Sequence, residues 1–436
     1  MTNKSYAGRA IFRFRPVLFF FAEKDMKRIV MAAICMMVVS CGLEEVSRRP
    51  HSGAEDVWLG PGVNAGKEDS GKKVVYVTAM EYPDGYDWRA DVEKGSVRCS
   101  LTVYADGIPM MKVPVGDGYE TSSDPDMHRM VDGHLYTDYS TDSETVIKKD
   151  GKDIIRYQGR EMICGLQVDG DDVYTLGHPR EGEGFCYRKN GESLISRAQG
   201  RSFANLYKDG QDICFAFYEP VTSVSGQIYR YYHVRDGDVV QAAVREDVRK
   251  VWDIISAGGG ISYLASVTGV SLPVLFTSSS MTALDLPESV SMLACRMLAE
   301  EEIIYVEGLF SGPDKSVTSG LWDMKGQLSL FEDGMTVSSI CMNGDSVCCM
   351  LNPTSSHDRG IIYRCGETFR MYAGYASVGS NTAVAVDGIL YAGLSSLSGG
   401  RPMIWKDGGV NYLDINGFIS TVSASGGQAS QDKVLD

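Results

Sequence analysis

The sequence predicts an all-β fold, a β-propeller with eight four-stranded blades, and seven blades are the alternative count. Three observations predict it. Turn glycines recur at steps near 40 residues, short β-branched and aromatic runs such as Val74–Val77 lie between them, and the composition combines 48 Gly and 23 Tyr with few long helix-forming runs. Glycine supplies the positive φ of tight turns, and a unit of about 40 residues with several short strands is typical of one propeller blade.

The turn glycine that ends one strand of each unit measures the repeat. Successive copies are separated by 44, 40, 46, 89, 40 and 42 residues, at Gly107, Gly151, Gly191, Gly237, Gly326, Gly366 and Gly408. Because 89 is twice 44.5, one copy lacks its glycine, and Leu275–Ser280 stands in the expected place. Eight units then fit residues 74–425. The long first unit and the degenerate fifth unit keep the seven-bladed alternative open.

A second series of turns checks this count, because each unit opens with its own turn and a following strand. The best copies are Asp132-Gly133 and Asp387-Gly388, which both lead into a strand that carries a tyrosine. Asp-Gly is a strong signal for a type I′ hairpin turn. The two series alternate along the chain.

A helical solenoid would need a 3.6-residue apolar period, and two β-sandwiches would not produce one sustained repeat.

A targeting segment precedes the repeats. Met26–Arg28 forms a short positive head, Ile29–Val39 an apolar core of 11 residues, and Val38–Cys41 closes it. A membrane-spanning helix needs about 20 apolar residues, so this segment is predicted to be a signal peptide that covers residues 1–40. Met26 is then the expected start of translation.

The end of this segment resembles a bacterial lipobox, in which small residues precede a cysteine. The resemblance implies that Cys41 is lipidated and becomes the amino terminus of an outer-membrane lipoprotein that faces the periplasm or the cell surface. Gly42–Glu45 is similar to the acidic surface-export signal of Bacteroidetes lipoproteins, although a solvated linker explains it equally well. Residues 46–72 are rich in Gly, Ser, Pro and charge, so residues 41–73 are predicted to be a flexible tether. Residues 426–436 are predicted to be a carboxyl-terminal tail.

The charge argues against nucleic acid as a partner. The formal net charge is -15, and without residues 1–40 the chain keeps 35 basic and 55 acidic side chains, a net of -20. Such a surface repels phosphate backbones. The expected partners are the membrane, through the lipid anchor, and a glycan or a protein.

The 11 cysteines do not follow the short regular spacing of a disulfide scaffold, and most lie in apolar strand-like runs. They are expected to be small buried hydrophobic residues. The neighbours Cys348 and Cys349 should point to opposite faces of one strand.

The repeated unit resembles the Tyr-Trp-Lys-Asn-Gly type repeat of propeller-like lipoproteins of Bacteroidetes. Ile404–Gly408 is the best copy, and Tyr187–Gly191 has a similar ending with Arg in place of Trp. Leu321–Gly326 and Tyr363–Gly366 depart from the pattern. The resemblance covers residues 74–425 and implies a propeller without a known active site.

No catalytic motif stands out in the sequence. It contains no Gly-x-Ser-x-Gly, no Walker-type loop, no His-Glu-x-x-His and no Cys-x-x-Cys. The carboxylates of Asp169–Asp172 are interpreted as turn residues rather than calcium ligands, and His357–Arg359 as a solvated loop. We therefore predict no catalytic residue, no metal site and no cofactor.

Two tryptophans are the candidate ligand-binding residues. Trp88 lies in a polar stretch and Trp252 follows a charged one, so either ring could stack on a sugar or a peptide, with core packing as the alternative. Trp322 and Trp405 belong to the repeated strand, where packing explains them.

The expected function is a lipid-anchored binding module for a glycan, a peptide or a partner protein. A propeller enzyme that acts on glycans, as a hydrolase or lyase, and a structural subunit of an envelope complex are the alternatives, because propellers serve many functions.

Overall fold

The computed structural model describes residues 58–59 and 73–425, except 89–98, 116–127, 141–142, 180–183, 202–205, 225, 258–259, 287–290, 301–302, 312–316, 327, 331–334, 344–345, 354–360, 365–366, 372–373 and 380. These residues form eight antiparallel sheets and no helix. The predicted signal peptide, Cys41 and the tail at 426–436 lie outside the described residues.

We number the sheets as blades in chain order, and the first four contain the first half of the chain. Blade 1 holds β1 Trp58–Leu59, β2 Val75–Glu81, β3 Cys99–Ala105 and β4 Ile108–Val115; blade 2 holds β5 His128–Val131, β6 His134–Ser140, β7 Glu144–Lys149 and β8 Lys152–Gln158; blade 3 holds β9 Glu161–Asp169, β10 Asp172–Pro179, β11 Phe185–Lys189 and β12 Glu192–Arg197; blade 4 holds β13 Tyr207–Asp209, β14 Asp212–Ser223, β15 Gly226–Arg235 and β16 Asp238–Arg245.

The remaining four blades follow the same plan. Blade 5 holds β17 Val248–Ala257, β18 Gly260–Val267, β19 Pro273–Phe276 and β20 Met281–Ala283; blade 6 holds β21 Ser291–Glu300, β22 Ile303–Ser311, β23 Val317–Trp322 and β24 Leu328–Leu330; blade 7 holds β25 Met335–Asn343, β26 Ser346–Pro353, β27 Ile361–Arg364 and β28 Glu367–Arg370; blade 8 holds β29 Tyr375–Ala376, β30 Ala383–Val386, β31 Ile389–Ser396, β32 Met403–Lys406 and β33 Gly409–Tyr412. The last strand, β34 Gly417–Ala424, belongs to blade 1.

The chain closes into a ring through β34, which pairs antiparallel with β2 from Val75↔Ala424 to Glu81↔Gly417. Eight clusters of buried apolar side chains lie between the sheets, and each cluster joins two consecutive blades. The cluster between blades 8 and 1 includes Val77 and Ile404 and completes the circle. The predicted propeller fold is confirmed, and the number of sheets equals the eight units that the turn spacing predicts.

The Asp-Gly turns of both series lie at the same end of the blades, because in a four-strand meander the first and third turns share one end. In the third turn of blades 1 to 3 the Asp or Asn adopts positive φ, and its side chain accepts a hydrogen bond from a backbone N–H near the start of the second strand from the inside of the blade. Asp150 Oδ1 accepts from Leu135 N at 2.9 Å, and Asn190 Oδ1 from Val173 N at 2.9 Å. Asp106 does the same for Val75 N at 3.1 Å. The recurring acid is therefore a structural cap.

Replacing Asp150 by alanine is expected to destabilise the protein by about 1–3 kcal/mol, because Leu135 N loses its acceptor and alanine is strained at positive φ. Asp150→Asn keeps an acceptor, as Asn190 shows in the next blade, and should cost less than about 1 kcal/mol. Urea unfolding of the three proteins measures the difference. Equal stability of the alanine and asparagine variants would contradict the capping role.

A lysine precedes this turn in several blades and lies over a tyrosine ring of the neighbouring strand. Lys149 Nζ is 5.6 Å from the ring centre of Tyr136, and Lys189 Nζ is 5.2 Å from that of Tyr174. Cations at this distance from an aromatic face are attracted by it. The Lys and the Tyr of the repeat thus form one contact within blades 2, 3 and 8.

His128 is buried on the innermost strand of blade 2, and its Nε2 forms a hydrogen bond with Ser420 Oγ of β34. Burial lowers the pKa of His128 to about 4. Between about pH 4 and 6.5 the imidazole of the unfolded chain binds a proton and that of the folded protein does not. The contribution of His128 to the free energy of unfolding is therefore complete above about pH 6.5 and decreases as the pH falls towards 4, by up to about 1.4 kcal/mol per pH unit.

His128→Asn should remove this part of the pH dependence, and unfolding free energies between pH 4 and 7 measure it. Since burial also lowers the pKa of His233, the test is the difference between the two proteins. Parallel pH curves would contradict the prediction.

The other structural expectations have mixed outcomes. Trp322 and Trp405 are buried as predicted, and Cys348 and Cys349 belong to different core clusters, on opposite faces of their strand. Blade 5 turns without glycine at 277–280, where Thr277 N donates to Ser280 O at 3.0 Å. Within the predicted tether, β1 extends blade 1 by pairing with β4, which composition did not indicate.

Candidate functional site

A cavity of about 570 Å³ lies between blades 8 and 1, at the end of the blades that carries the Asp-Gly turns. We call it the seam cavity, because it lies where the first and last parts of the chain meet. Aliphatic side chains form its apolar wall: Val75, Val77, Val386, Ile389 and Ile404. Its volume falls within the range of small-molecule sites.

Polar groups surround the apolar wall. Lys73, Asp106 and Asp387 line the cavity, and so do Lys406 and Asn411. The Tyr391 ring also lines it, with Lys406 Nζ 5.1 Å from the ring centre. An apolar wall with a few polar groups at its edge can hold an amphipathic molecule.

Asn411, which lines the cavity, breaks the pattern of the repeat. Two outer strands of each blade form a hairpin, and the residue three places before its turn Asp or Asn pairs with a residue on the second of these strands. In blades 1 to 4 that second-strand residue is apolar: Val103 pairs with Met111, Ile147 with Ile155 and His233 with Val240. In blade 8 the pair is Ile404↔Asn411. Ile155 packs in the apolar cluster between blades 2 and 3, whereas Asn411 is exposed and borders open space.

The turn of the next blade packs against this same position. A Cβ added to Gly191 would lie 2.8 Å from Ile155 Cγ2, and one added to Gly107 would lie 2.9 Å from Asn411 Nδ2. The contact between Gly191 of blade 3 and Ile155 of blade 2 therefore has an equivalent between Gly107 of blade 1 and Asn411 of blade 8, where an amide takes the place of the aliphatic group.

A second departure concerns the charge of Lys406. In blade 3 the equivalent Lys189 pairs with Asp172 at 2.8 Å, and Asp172 is the first residue of its strand. In blade 8 that first residue is Ile389. Within the part of the chain that the structure describes, Lys406 makes no ion pair. Lys406 is exposed and lines the cavity, with its ammonium group 5.1 Å from the centre of the Tyr391 ring.

The two acids of the cavity are explained by the turns. Asp106 caps Val75, the role that an asparagine fills in blade 3, so this position does not require a carboxylate. Asp387 has a φ of 50° in its Asp-Gly turn, like Asp132 in blade 2. The feature peculiar to this cavity is therefore Asn411, combined with a lysine that has no acid at the first position of the neighbouring strand. Blade 2 shares the second feature, with His134 at that position and Lys149 over Tyr136, but has Ile155 in place of Asn411.

The structure places Trp88 inside the protein. Its side chain is 3% exposed and its ring lies 5.1 Å from that of Phe418, centre to centre. Of the two interpretations of Trp88, core packing agrees with the structure and an exposed stacking surface does not, because the last strand of the chain covers the ring. Nothing in the polar neighbours of Trp88 indicated that contact.

Trp252 is half-buried on the innermost strand of blade 5, at an irregularity between Val251 and Asp253. Its Nε1 donates to Ser266 Oγ at 2.8 Å, and Lys250 Nζ lies 3.3 Å from the ring centre. One face of the ring is therefore occupied by a cation. Neither tryptophan lines the seam cavity.

Across the described ranges, no group of three or more His, Cys, Asp or Glu side chains is arranged to hold a metal ion. The same ranges contain no helix that is long and apolar enough to cross a membrane.

Comparisons with known proteins add the following. No family model matches the chain, and no curated protein matches it. Among solved structures, it is similar to the β-propeller domain of the Trilobed protease from Pyrococcus furiosus, with 12% identity over 66% of this chain and 95% of that one, at a TM-score of 0.39.

Two further solved structures are similar to the same degree. The acylaminoacyl peptidase of Pyrococcus horikoshii has 11% identity over 69% of this chain and 50% of its own, at a TM-score of 0.42, so the match spans half of that protein. TolB from Acinetobacter baumannii has 10% identity over 80% of this chain and 82% of its own, at a TM-score of 0.33. Likenesses this weak carry no inference about function.

Proposed function

We propose that this chain is a lipid-anchored envelope propeller that acts as a binding module, and that the seam cavity is its ligand site. The observation that carries the binding role is the local break in the repeat. Asn411 stands where blades 1 to 4 have an apolar residue, and Ile389 stands where blades 3 and 4 have an acid; both line the cavity together with Lys406. A repeat that served packing alone would keep the filled arrangement of blades 2 and 3.

The lipid anchor is a separate part of the proposal and rests on the Val38–Cys41 sequence. Cell fractionation tests it, since Cys41→Ser should move the protein from the membrane to the soluble fraction. Intact mass of the membrane-bound protein should show a lipidated Cys41 as the first residue. A membrane-bound species that retains Ser40 would contradict the anchor, and the Bacteroidetes-type lipoprotein assignment would lose its main support.

Asn411→Ile tests the binding site, because the new side chain should fill the cavity as Ile155 does in blade 2. Filling a cavity commonly adds about 0.5–2 kcal/mol of stability, so this variant should unfold at higher urea concentration and also lose its ligand. Glycan arrays and pull-downs from native membranes, with wild type and variant side by side, measure the loss of binding.

Val240→Ile is the matched control, because it adds a methylene at the equivalent strand position of blade 4, where the side chain is 60% exposed. It should bind as wild type does. If every partner captured by wild type is also captured by Asn411→Ile, the seam cavity is not the site.

A further inference from the structure

We infer that the seam cavity selects an aliphatic carboxylate, with the carboxylate at Lys406 and Asn411 and the aliphatic part against Val77, Val386 and Ile404. This inference rests on the proposed binding function and names the class of ligand.

The first step concerns the shape and polarity of the wall. Val77, Val386 and Ile404 are buried aliphatic residues whose surfaces face the cavity. Among the described residues that line it, Tyr391 contributes the aromatic ring, and this ring already has Lys406 near its face. A sugar ring prefers an open aromatic face, whereas an aliphatic chain needs only apolar surface. The wall therefore favours an aliphatic body.

The second step concerns charge. Asp106 and Asp387 are turn acids of kinds that recur in other blades, so they belong to the fold rather than to the ligand site. Blades 3 and 4 have an acid, Asp172 or Asp212, that pairs with the cation before the third turn, whereas blade 8 has Ile389 at that position. Blade 2 also lacks the acid, but there Ile155 packs between the blades. The cavity thus holds one more unpaired cation than the equivalent place in blade 3. An anionic group would restore the missing ion pair.

The third step concerns hydrogen bonding. The Asn411 amide replaces an aliphatic side chain and lies beside Gly107 at the cavity edge. An ammonium and an amide N–H are both donors, and a carboxylate is an acceptor with two oxygens. Charge-assisted hydrogen bonds of this kind are about twice as strong as neutral ones. The two donors and the aliphatic wall together match an aliphatic carboxylate.

Calorimetric titration of the full chain in lipid nanodiscs tests this, with empty nanodiscs as the blank. The probes are hexanoate, hexanamide and hexylamine, which share the aliphatic part and differ in the head group. Hexanoate is expected to bind at least about tenfold more tightly than hexanamide, and hexylamine least tightly. N-acetyl-leucine in a parallel titration separates a peptide-like source of the carboxylate from an acyl chain.

Variants assign the preference to residues. Lys406→Gln should reduce the hexanoate affinity to that of hexanamide, and Lys406→Arg should retain most of the preference. Asn411→Ile should abolish binding of both probes. Lys189→Gln is the control, because it removes the equivalent lysine of blade 3 and should leave the affinities for all probes unchanged. A wild-type protein that binds hexanamide or hexylamine as tightly as hexanoate overturns the inference, and so does a preference that survives in Lys406→Gln.

The failure of the ligand class can be told apart from failure of the binding function. If none of the probes binds, but Asn411→Ile still loses a partner that wild type captures from membranes, the cavity is a binding site and the carboxylate class is wrong. If the probes do not bind and partner capture is unchanged in Asn411→Ile, both proposals fail.

Discussion

Glu307→Ala is expected to destabilise the propeller by about 3–5 kcal/mol, because it leaves the guanidinium of Arg296 buried without its carboxylate. The two side chains are 4% and 6% exposed, and Arg296 Nε donates to Glu307 Oε2 at 2.8 Å. They face each other on β21 and β22, the two inner strands of blade 6. Breaking a buried ion pair costs much more than breaking one at the surface.

The control is the double variant Arg296→Met with Glu307→Leu, which removes both charges and keeps similar volumes. It should be clearly more stable than either single variant and can approach the wild type. Urea unfolding of the four proteins gives the coupling energy as a double-mutant cycle. Single variants within 1 kcal/mol of wild type would show that the pair is screened by solvent.

The turns of this fold could be predicted from the sequence, because Asp and Gly at positive φ leave a local signal that needs no tertiary contact. Asp132, Asp150 and Asp387 all adopt the expected conformation. The eight units over residues 74–425 followed from the spacing of the same turns. Local chemistry at fixed spacing was enough for these features.

The seam cavity was not predictable in the same way. In blade 8 the outer hairpin has no bulge, and Ile404 pairs with Asn411. In blades 2 and 3 a bulge follows Ile147 and Tyr187, so the residue that pairs with each of them lies one place further along the chain. A sequence alignment of the repeats from their glycines therefore sets Asn411 against Ile154 rather than Ile155. That alignment still sets Asn411 against an apolar residue, so the substitution is visible in the sequence. Only the register shows that Ile155, and not Ile154, is the side chain that packs between the blades.

Long-range packing explains the burial of Trp88. Trp88 contacts Phe418, which is distant in sequence and reaches it only because β34 returns to blade 1. Its polar neighbours indicated an exposed loop, but the ring is covered by a strand from the other end of the chain. Polarity along a sequence predicts exposure poorly where a ring closes.

Truncation before Gly417 is expected to abolish cooperative folding. It removes β34, which pairs with β2 along its whole length and supplies Ile419 and Val422 to the cluster between blades 8 and 1. Burial of these two side chains alone is worth about 3–6 kcal/mol, against a total stability of about 5–15 kcal/mol for a typical protein. The same truncation exposes the edge of β2, which is a template for aggregation.

Truncation after Ser425 is the matched control, because it keeps β34 and the two hydrogen bonds between Ser425 and Val74. It should melt as the full chain does when thermal unfolding is followed by circular dichroism. A peptide of residues 417–425 added to the shorter chain should partly restore resistance to protease, since the missing strand can pair with β2 in trans. A sharp, unchanged melting transition in the chain that ends at 416 would show that the ring is held by packing between the blades and does not need the closing strand.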